Sequence, residues 1–320
     1  MTPSIAFIGL GVMGQRMLSN MQAHGGYKLC IGWDPDETAC ARTKAAYPHM
    51  RIAATPAEAI AEDEANVVYI ASPPAFHQEH VMAALEAGKA VWCEKPLGVD
   101  IAQSRAMVDA VEASGLVNAI NFPFSKAIAI DSMLAQLKSG ALGAIAGADL
   151  RLHFSSWPRD WQKDAARWLS LRVQGGMTRE VVSHYMFLTE RLFGKAKIVS
   201  SHAAYPDGVV GTLCETHLLA QLDCAGMPVS FAASVGGAGP DLVEYTVWGA
   251  KRSLRLYDWS RLFVSEGGDW REELTDIPDK RRHGYMAMLD NFAGQLAGKP
   301  HSMASFREAL SVQELIEAML

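Results

Sequence analysis

Glu94, Lys95 and Pro96 close a short apolar run, Val91-Trp92-Cys93, and that sequence of residue types marks a place where chemistry can be done. A run that is apolar on both faces reads as a buried strand of a parallel sheet. In open α/β sheets ligands bind outside the carboxyl ends of the strands, so this carboxylate and this amine fall at a ligand site. Pro96 fixes its own φ and stiffens the strand end. A second chemical pair lies in Gly175-Gly176-Met177-Thr178-Arg179-Glu180-Val181-Val182-Ser183-His184, a segment whose helical pattern continues through Phe187, Leu188 and Leu192 to Gly194. Glu180 and His184 are four apart, so on a helix they share one face. A carboxylate beside an imidazole orients it and stabilises its charged form, as a general acid or base requires. The same spacing also describes a solvated helix pair, and the residues by themselves leave the two readings even.

The elements that position these groups begin with the strand Ser4 to Ile8, followed without a spacer by Gly9-Leu10-Gly11-Val12-Met13-Gly14. A helix then starts near Val12, with Met13, Met17, Leu18 and Met21 at helical spacing. A strand, a GxGxxG turn and a helix form the dinucleotide fingerprint. Gly9 permits the turn, Gly11 lets the backbone approach a pyrophosphate, and Gly14 lets helix and strand pack closely. The N–H groups of Val12 and Met13 belong to the helix start, where a phosphate is attracted. The strand Tyr27 to Trp33 ends at Asp34, about 20 residues beyond the last glycine, the usual place of a ribose-binding acid. A carboxylate there accepts a free 2′-hydroxyl and repels a 2′-phosphate, so NAD is favoured over NADP. Asp34 also reads as a cap or turn residue ahead of Pro35.

Strand and helix then alternate. Thr55-Pro56-Ala57-Glu58 is a capping box with proline at the first helical position. Val67 to Ala71 is a buried strand ending at Ser72-Pro73-Pro74, with His77 near the start of the next helix. His77 reads either as a contact to cofactor or substrate or as a histidine bonding a nearby loop. After Glu94-Lys95-Pro96 come a helix capped by Asp100 and a strand Val117 to Phe122, which contains Asn121. This alternation means a doubly wound parallel sheet, a Rossmann domain. Ser72, Pro73, His77, Glu94, Lys95 and Asn121 join the glycines and Asp34 as the candidate cofactor residues.

After Asn121 the pattern changes. A helix from Ala127 to Lys138 is followed by segments that alternate with period two: Thr212 to Cys224, Val229 to Val235, Leu242 to Trp248 and Ser253 to Tyr257. Strands in close succession indicate a largely antiparallel sheet, so the second part is an α+β domain. Helices return at Tyr285 to Leu296 and Ser305 to Leu320, the latter opened by a capping box of Ser305 and Glu308.

Composition sets the outer bounds. A chain of 320 residues exceeds what one small core organises, so two domains are expected. Its 49% hydrophobic and 20% charged content is that of a globular protein rather than a disordered one. A net charge of −6 offers no polybasic surface, which argues against nucleic acid and anionic membranes as partners. No apolar run reaches the length of a membrane span, and the N-terminus lacks the pattern of a signal peptide. The five cysteines are scattered and show no metal spacing, so a reducing cytoplasm is expected and no metal.

Taken together, the glycine fingerprint, Pro73 and His77 followed by Ala84-Leu85-Glu86-Ala87-Gly88-Lys89, then Glu94-Lys95-Pro96, and lastly Gly175-Gly176 with His184 resemble the glucose–fructose oxidoreductase / inositol dehydrogenase (Gfo/Idh/MocA) family. The resemblance spans nearly the whole chain. It implies a Rossmann domain over residues 1–121, a substrate-binding and oligomerisation domain with an open antiparallel sheet over 122–303, and a C-terminal helix, 304–320, packing near the first domain. It implies hydride transfer between NAD(P) and a sugar, polyol or related small molecule, with Lys95 and His184 as catalytic residues. The family's aspartate four residues before the histidine is Glu180 here, and a commonly small residue is Val182. An open sheet face usually marks a subunit contact, so a homodimer or homotetramer is expected through it.

Charge then assigns roles. His184 is the better base, since its ordinary pKa lies near working pH, and Lys95 the better electrostatic partner for a developing alkoxide. Trp157-Pro158-Arg159-Asp160-Trp161, with Arg167, Trp168 and Arg172, could stack on a sugar ring or hold an anion, or could be domain packing. Trp161 and Arg179 are the substrate candidates. Two alternatives to net dehydrogenation are an epimerase or eliminase that retains its cofactor, and a non-catalytic dinucleotide-binding regulator.

Overall fold

The computed structural model describes residues 2–208 and 211–320; at Lys163, Asp164, Ala165 and Arg167 the description covers the backbone alone. The side chain of Arg167, one of the anion-holding candidates, therefore lies outside the described residues. Contacts divide the chain into two units, Met1–Ser125 with Tyr285–Ser311, and Lys126–Gly284 with Val312–Leu320.

The first unit is built on strands β1 (Ser4–Ile8), β2 (Lys28–Trp33), β3 (Arg51–Ile52), β4 (Val67–Ile70), β5 (Ala90–Glu94) and β6 (Asn118–Asn121). They form one sheet in the order β3-β2-β1-β4-β5-β6, every neighbouring pair parallel. This is the doubly wound order, with its switch point between β1 and β4. Strands β1, β4 and β5 are buried along their whole length, which is why their sequences are apolar without alternation. Helices α1 (Val12–His24), α2 (Glu37–Ala46), α3 (Pro56–Ala61), α4 (His77–Glu86) and α5 (Ile101–Ser114) make the crossovers. Thr55 Oγ1 accepts the Glu58 N–H to start α3, while the Glu58 carboxylate takes the N–H of Ala54 rather than that of Thr55. Asp100 caps α5 through the Gln103 N–H. Because all strands are parallel, Gly9, Asp34, Ser72, Lys95 and Asn121 stand at or beside carboxyl ends along one edge.

The second unit begins with α6 (Ile128–Lys138), β7 (Ile145–Phe154) and a short helix α7 (Ala166–Leu169). A π-helical turn at Thr178–Val182 leads into α8 (Ser183–Phe193). Strands β8 (Ala196–Ala204), β9 (His217–Cys224), β10 (Met227–Val235), β11 (Leu242–Gly249), β12 (Ser253–Tyr257), β13 (Arg261–Ser265) and β14 (Arg271–Glu273) follow. With β7 they form an eight-stranded sheet in the order β14-β13-β12-β11-β7-β10-β9-β8, antiparallel except for the β7–β10 pair. In β9, Leu218, Ala220, Leu222 and Cys224 are buried while His217, Leu219, Gln221 and Asp223 are exposed, the period-two pattern read from sequence. The strand expected from Thr212 starts only at His217. Residues 212–214 instead bond the segment before the π turn, through Arg172 N–H to Thr212 O and Cys214 N–H to Ser170 O.

Helix α9 (Lys280–Leu296) returns the chain to the first unit, where Phe292 lies 4.4 Å from Trp92 between ring centroids and the Tyr27 hydroxyl donates to Leu289 O. Both rings are fully buried, and burial of a large apolar side chain is worth roughly 1.5–3 kcal/mol. Helix α10 (Phe306–Met319) opens with the expected capping box: Ser305 Oγ accepts the Glu308 N–H, and the Glu308 carboxylate accepts the Ser305 N–H.

Candidate active site

The glycine loop is shaped by contacts that a side chain would prevent. Gly9 has φ 98°, and a Cβ at Gly14 would stand 2.1 Å from Gly9 O. Around Gly11, by contrast, a Cβ would meet nothing within 4 Å. Gly11 is also the N-cap of α1 and gives that helix no side-chain cap, so the first-turn N–H groups are left for an anion. Asp34 ties this loop to the end of β2: Oδ2 accepts the Leu10 N–H at 2.7 Å and Oδ1 the Asp36 N–H at 2.8 Å. Each carboxylate oxygen keeps a further lone pair for a ribose hydroxyl. Asp34 is thus the turn residue of the two alternatives the sequence left, with acceptor capacity to spare for the other.

At the ends of β4, β5 and β6 the polar groups are connected. Glu94 is 4% exposed, and its Oε1 accepts the Asn121 Nδ2–H at 2.7 Å and the Tyr69 hydroxyl. Asn121 Nδ2 also lies 3.1 Å from that hydroxyl. Burial raises the Glu94 pKa above the usual carboxylate range even though both bonds favour its charge, and burial together with Glu94 raises that of Tyr69. Lys95 follows, half-buried, on a cis peptide bond to Pro96. His77 is completely buried, with Nε2 2.8 Å from Ser72 O and Nδ1 3.3 Å from Leu97 O. Burial pushes its pKa down to about 4, so the ring is neutral and has one N–H to donate to one of these two carbonyls. His77 therefore joins the loop after β4 to the loop that carries Lys95. Ser72 Oγ and Asn121 Oδ1 are buried with no hydrogen-bond partner among the described residues. Open space at Gly11, bare helix N–H groups and polar atoms along one sheet edge fit a dinucleotide.

In the second unit the expected α-helical turn around Glu180 is a π turn. The Ser183 N–H reaches Thr178 O, five residues back, while the Arg179 carbonyl it would take in an α-helix accepts the Ser183 hydroxyl at 2.6 Å. The α-helical phase assumed for Glu180 and His184 therefore does not hold over 178–182. The start of this turn is held by Glu215, which is 1% exposed and accepts the Thr178 N–H at 2.7 Å. Gly176, at φ 105°, makes room, since a Cβ there would stand 2.4 Å from Glu215 Oε2. Burial raises the Glu215 pKa. Arg179, expected to offer itself to a substrate carboxylate, is instead 9% exposed and held by Glu317 in a bidentate pair at 2.6 and 2.7 Å. It also donates to the carbonyls of Arg172 and Gly175.

His184, 8% exposed, meets Trp259 edge-on with ring centroids 5.7 Å apart. Trp259 lines a cavity of about 410 Å³ together with Trp161, Arg159, Phe154 and Asp258. The Arg159 guanidinium lies 4.8 Å from the Trp161 ring centroid and 4.7 Å from that of Phe154. Asp258 and Trp259 have φ 45° and 67°, the left-handed region. For a residue as bulky as tryptophan that conformation costs on the order of 1–3 kcal/mol. In Tyr257-Asp258-Trp259-Ser260 only Asp258 hints at such a turn, because the glycine that usually follows it there is replaced by Trp259. Trp259, Glu215 and Tyr69 are the site residues that sequence reasoning missed. Glu215 was hidden inside a run read as strand, and Tyr69 looked like one more apolar strand residue.

Residues 4–122 match the model of an oxidoreductase family with an NAD-binding Rossmann fold, and residues 135–320 match the C-terminal α/β domain of the same family, Gfo/Idh/MocA. The chain belongs to this family. The NAD-binding model covers the first segment of the first unit, and the C-terminal model covers nearly all of the second unit together with the Tyr285–Ser311 segment of the first. An inositol 2-dehydrogenase of Rhodococcus erythropolis is 36% identical over 112 residues, 35% of this chain and 32% of that protein. The match thus spans about a third of that relative's length. A D-glucoside 3-dehydrogenase of Escherichia coli is 24% identical over 282 residues, 79% of this chain and 76% of its own. The fold is also that of a levoglucosan dehydrogenase solved in complex with NADH and L-sorbose: TM-score 0.84, 19% identity, covering 99% of this chain and 95% of that one. Among the described residues no helix is long and apolar enough to cross a membrane, and no cluster of side chains has the makings of a metal site.

Proposed function

We propose that the protein is an NAD-dependent dehydrogenase that oxidises a secondary alcohol of a sugar, polyol or related small molecule. One observation carries this reading. An acid/base group, His184, packs edge-on against Trp259, which lines an aromatic-walled cavity of about 410 Å³, in a chain that also carries an NAD-binding domain. His184 takes the hydroxyl proton, and the Lys95 ammonium stabilises the developing alkoxide. Bound NAD supplies the hydride acceptor. Gly9, Gly11, Gly14 and the N–H groups of Val12 and Met13 hold its pyrophosphate, and Asp34 its adenosine ribose. Glu94 and Asn121, bonded to each other and both to Tyr69, form with Ser72 and Pro73 the wall at the other strand ends. The relatives named above, dehydrogenases of inositol and of a glucoside, support the same substrate class.

The test is turnover of purified protein with NAD over a panel of sugars, cyclitols and their acids. NADH accumulating in step with ketone product is expected. Product formed with no net change in cofactor would instead establish an epimerase or eliminase, and NAD binding without any product a regulator. We further infer a homodimer or homotetramer through the exposed face of the second sheet, where Val199 and Leu219 are 65% and 60% exposed. Light scattering at micromolar concentration tests this, and a monomer would refute it. The five cysteines are free, which supports a cytoplasmic location.

A further inference from the structure

We infer that Tyr69 is a positioning residue of the reaction: held by Asn121, its hydroxyl donates to Glu94 and keeps that buried carboxylate ionised beside Lys95. Lys95 takes its role here from the dehydrogenase reading, and Tyr69 acts through Glu94 rather than on the substrate. The three side chains come from neighbouring parallel strands. Tyr69 of β4 pairs with Trp92 of β5, and Glu94 of β5 pairs with Asn121 of β6. Trp92 and Glu94 are two apart, so period two puts Tyr69, Glu94 and Asn121 on one face of the sheet. All three are buried, at 0%, 4% and 1% exposed. The inventory of donors then fixes the direction of each bond. An amide nitrogen only donates, so Asn121 Nδ2 gives one hydrogen to Glu94 Oε1 at 2.7 Å and the other to the Tyr69 oxygen at 3.1 Å. The Tyr69 hydrogen is left for the same Glu94 oxygen. Glu94 Oε1 thus receives both donors and needs no proton of its own. Turned over, the Asn121 amide would set oxygen against oxygen at Glu94.

Burial is the strongest influence on Glu94 and favours its neutral form. The hydrogen bonds from Tyr69 and Asn121 oppose it, followed by the charges of Lys95 and Arg16. Burial, then Glu94, Tyr285 and Cys93, hold the Tyr69 hydroxyl protonated, so it keeps the hydrogen that it donates. A phenylalanine would fill the same space without the cost of burying a hydroxyl, so the bonds to Glu94 and Asn121 are what the tyrosine adds. An ionised Glu94 provides a counter-charge for the Lys95 ammonium, which must stay charged to meet a developing alkoxide.

The ionisation of Glu94 is read by infrared titration of the purified protein, in which the C=O stretch of its neutral form is identified by its loss in Glu94→Gln. Tyr69→Phe keeps the ring and its packing on Phe7 and Trp92 and removes only the hydroxyl. It should move the midpoint of that band up by about one pH unit or more, the worth of a hydrogen bond to a charged group. Turnover gives the second readout. On the acid side of the profile kcat of Tyr69→Phe should fall about tenfold, and it should recover as the pH is raised, with KM changed less than about threefold. On a Glu94→Gln background the same substitution should cost less than about twofold further, because the two residues act as one unit. A band that does not move or is absent from both proteins, a loss of kcat equal at every pH, or losses that multiply in the double variant would each overturn the inference. A band that moves in a protein that reduces no NAD would sink the dehydrogenase reading and leave the hold of Tyr69 on Glu94 standing. NADH formation with an unmoved band would do the reverse.

Discussion

At the scale of single residues, Asp34 carries two jobs that one substitution can separate. Its carboxylate holds the N–H groups of Leu10 and Asp36, and in the proposed cofactor site its charge would disfavour a 2′-phosphate. Asp34→Asn keeps one acceptor oxygen and removes the charge. NAD should then bind more weakly and NADP relatively better, narrowing the preference by about tenfold or more, as read by fluorescence titration of both cofactors. A variant that keeps the wild-type preference would remove Asp34 from the specificity argument. For the chemistry, His184→Ala and Lys95→Met should each lower kcat on the order of 100-fold or more, the scale of a lost acid/base or oxyanion partner. NAD affinity should be nearly unchanged in His184→Ala, because the pyrophosphate and adenosine contacts belong to the other unit. Full activity in His184→Ala would refute its role as base.

Among the elements, the π turn at Thr178–Val182 matters most, because it sets the phase of the helix that carries His184. Two buried side chains hold it. Glu215 accepts the Thr178 N–H, and Arg179 is pinned by Glu317. Burial is the largest single influence and opposes the arginine's charge, yet the Glu317 hydrogen bonds and charge, with smaller help from Glu215 and Tyr205, together outweigh it and raise the Arg179 pKa. Removing the Glu215 acceptor leaves a buried N–H unsatisfied, at a cost of about 1–3 kcal/mol. Glu215→Ala should therefore lower stability by that amount in urea unfolding, and should lower kcat more than it changes KM. Glu215→Gln, which retains an acceptor, should recover most of kcat. Equal losses in both variants would mean that the charge, and not the hydrogen bond, shapes the turn.

For the molecule as a whole, His77 makes stability depend on pH. Its ordinary pKa is 6.5 and its folded value about 4, so in that window the unfolded chain binds a proton that the folded chain refuses. Stability from this group is complete above pH 6.5 and falls as the pH drops toward 4, by on the order of 3 kcal/mol in total. Glu94 and Glu215, whose folded pKa values are raised, act with the opposite sign: what they contribute is present below their unfolded pKa and lost as the pH rises. Denaturant unfolding across the window should show a steeper acid loss in wild type than in His77→Gln. Parallel curves for the two proteins would show that His77 is not the group responsible.

How far the sequence determined these features follows from the range of the forces involved. The doubly wound sheet, the glycine loop, the caps at Thr55, Asp100 and Ser305, and the alternation of β9 are local. Burial on both faces, a helix start, or period two writes itself into adjacent residues, and each was legible. The partners of buried polar groups were not. Tyr69 meets Glu94 across 25 residues, Thr178 meets Glu215 across 37, and Arg179 meets Glu317 across 138. No pattern in neighbouring residues encodes such a pairing. A buried charge must find a partner, but only the packed chain selects which one. Hence Arg179 read as a hand for substrate, and Trp259, on a hairpin where no glycine follows Asp258, did not read as a site residue at all.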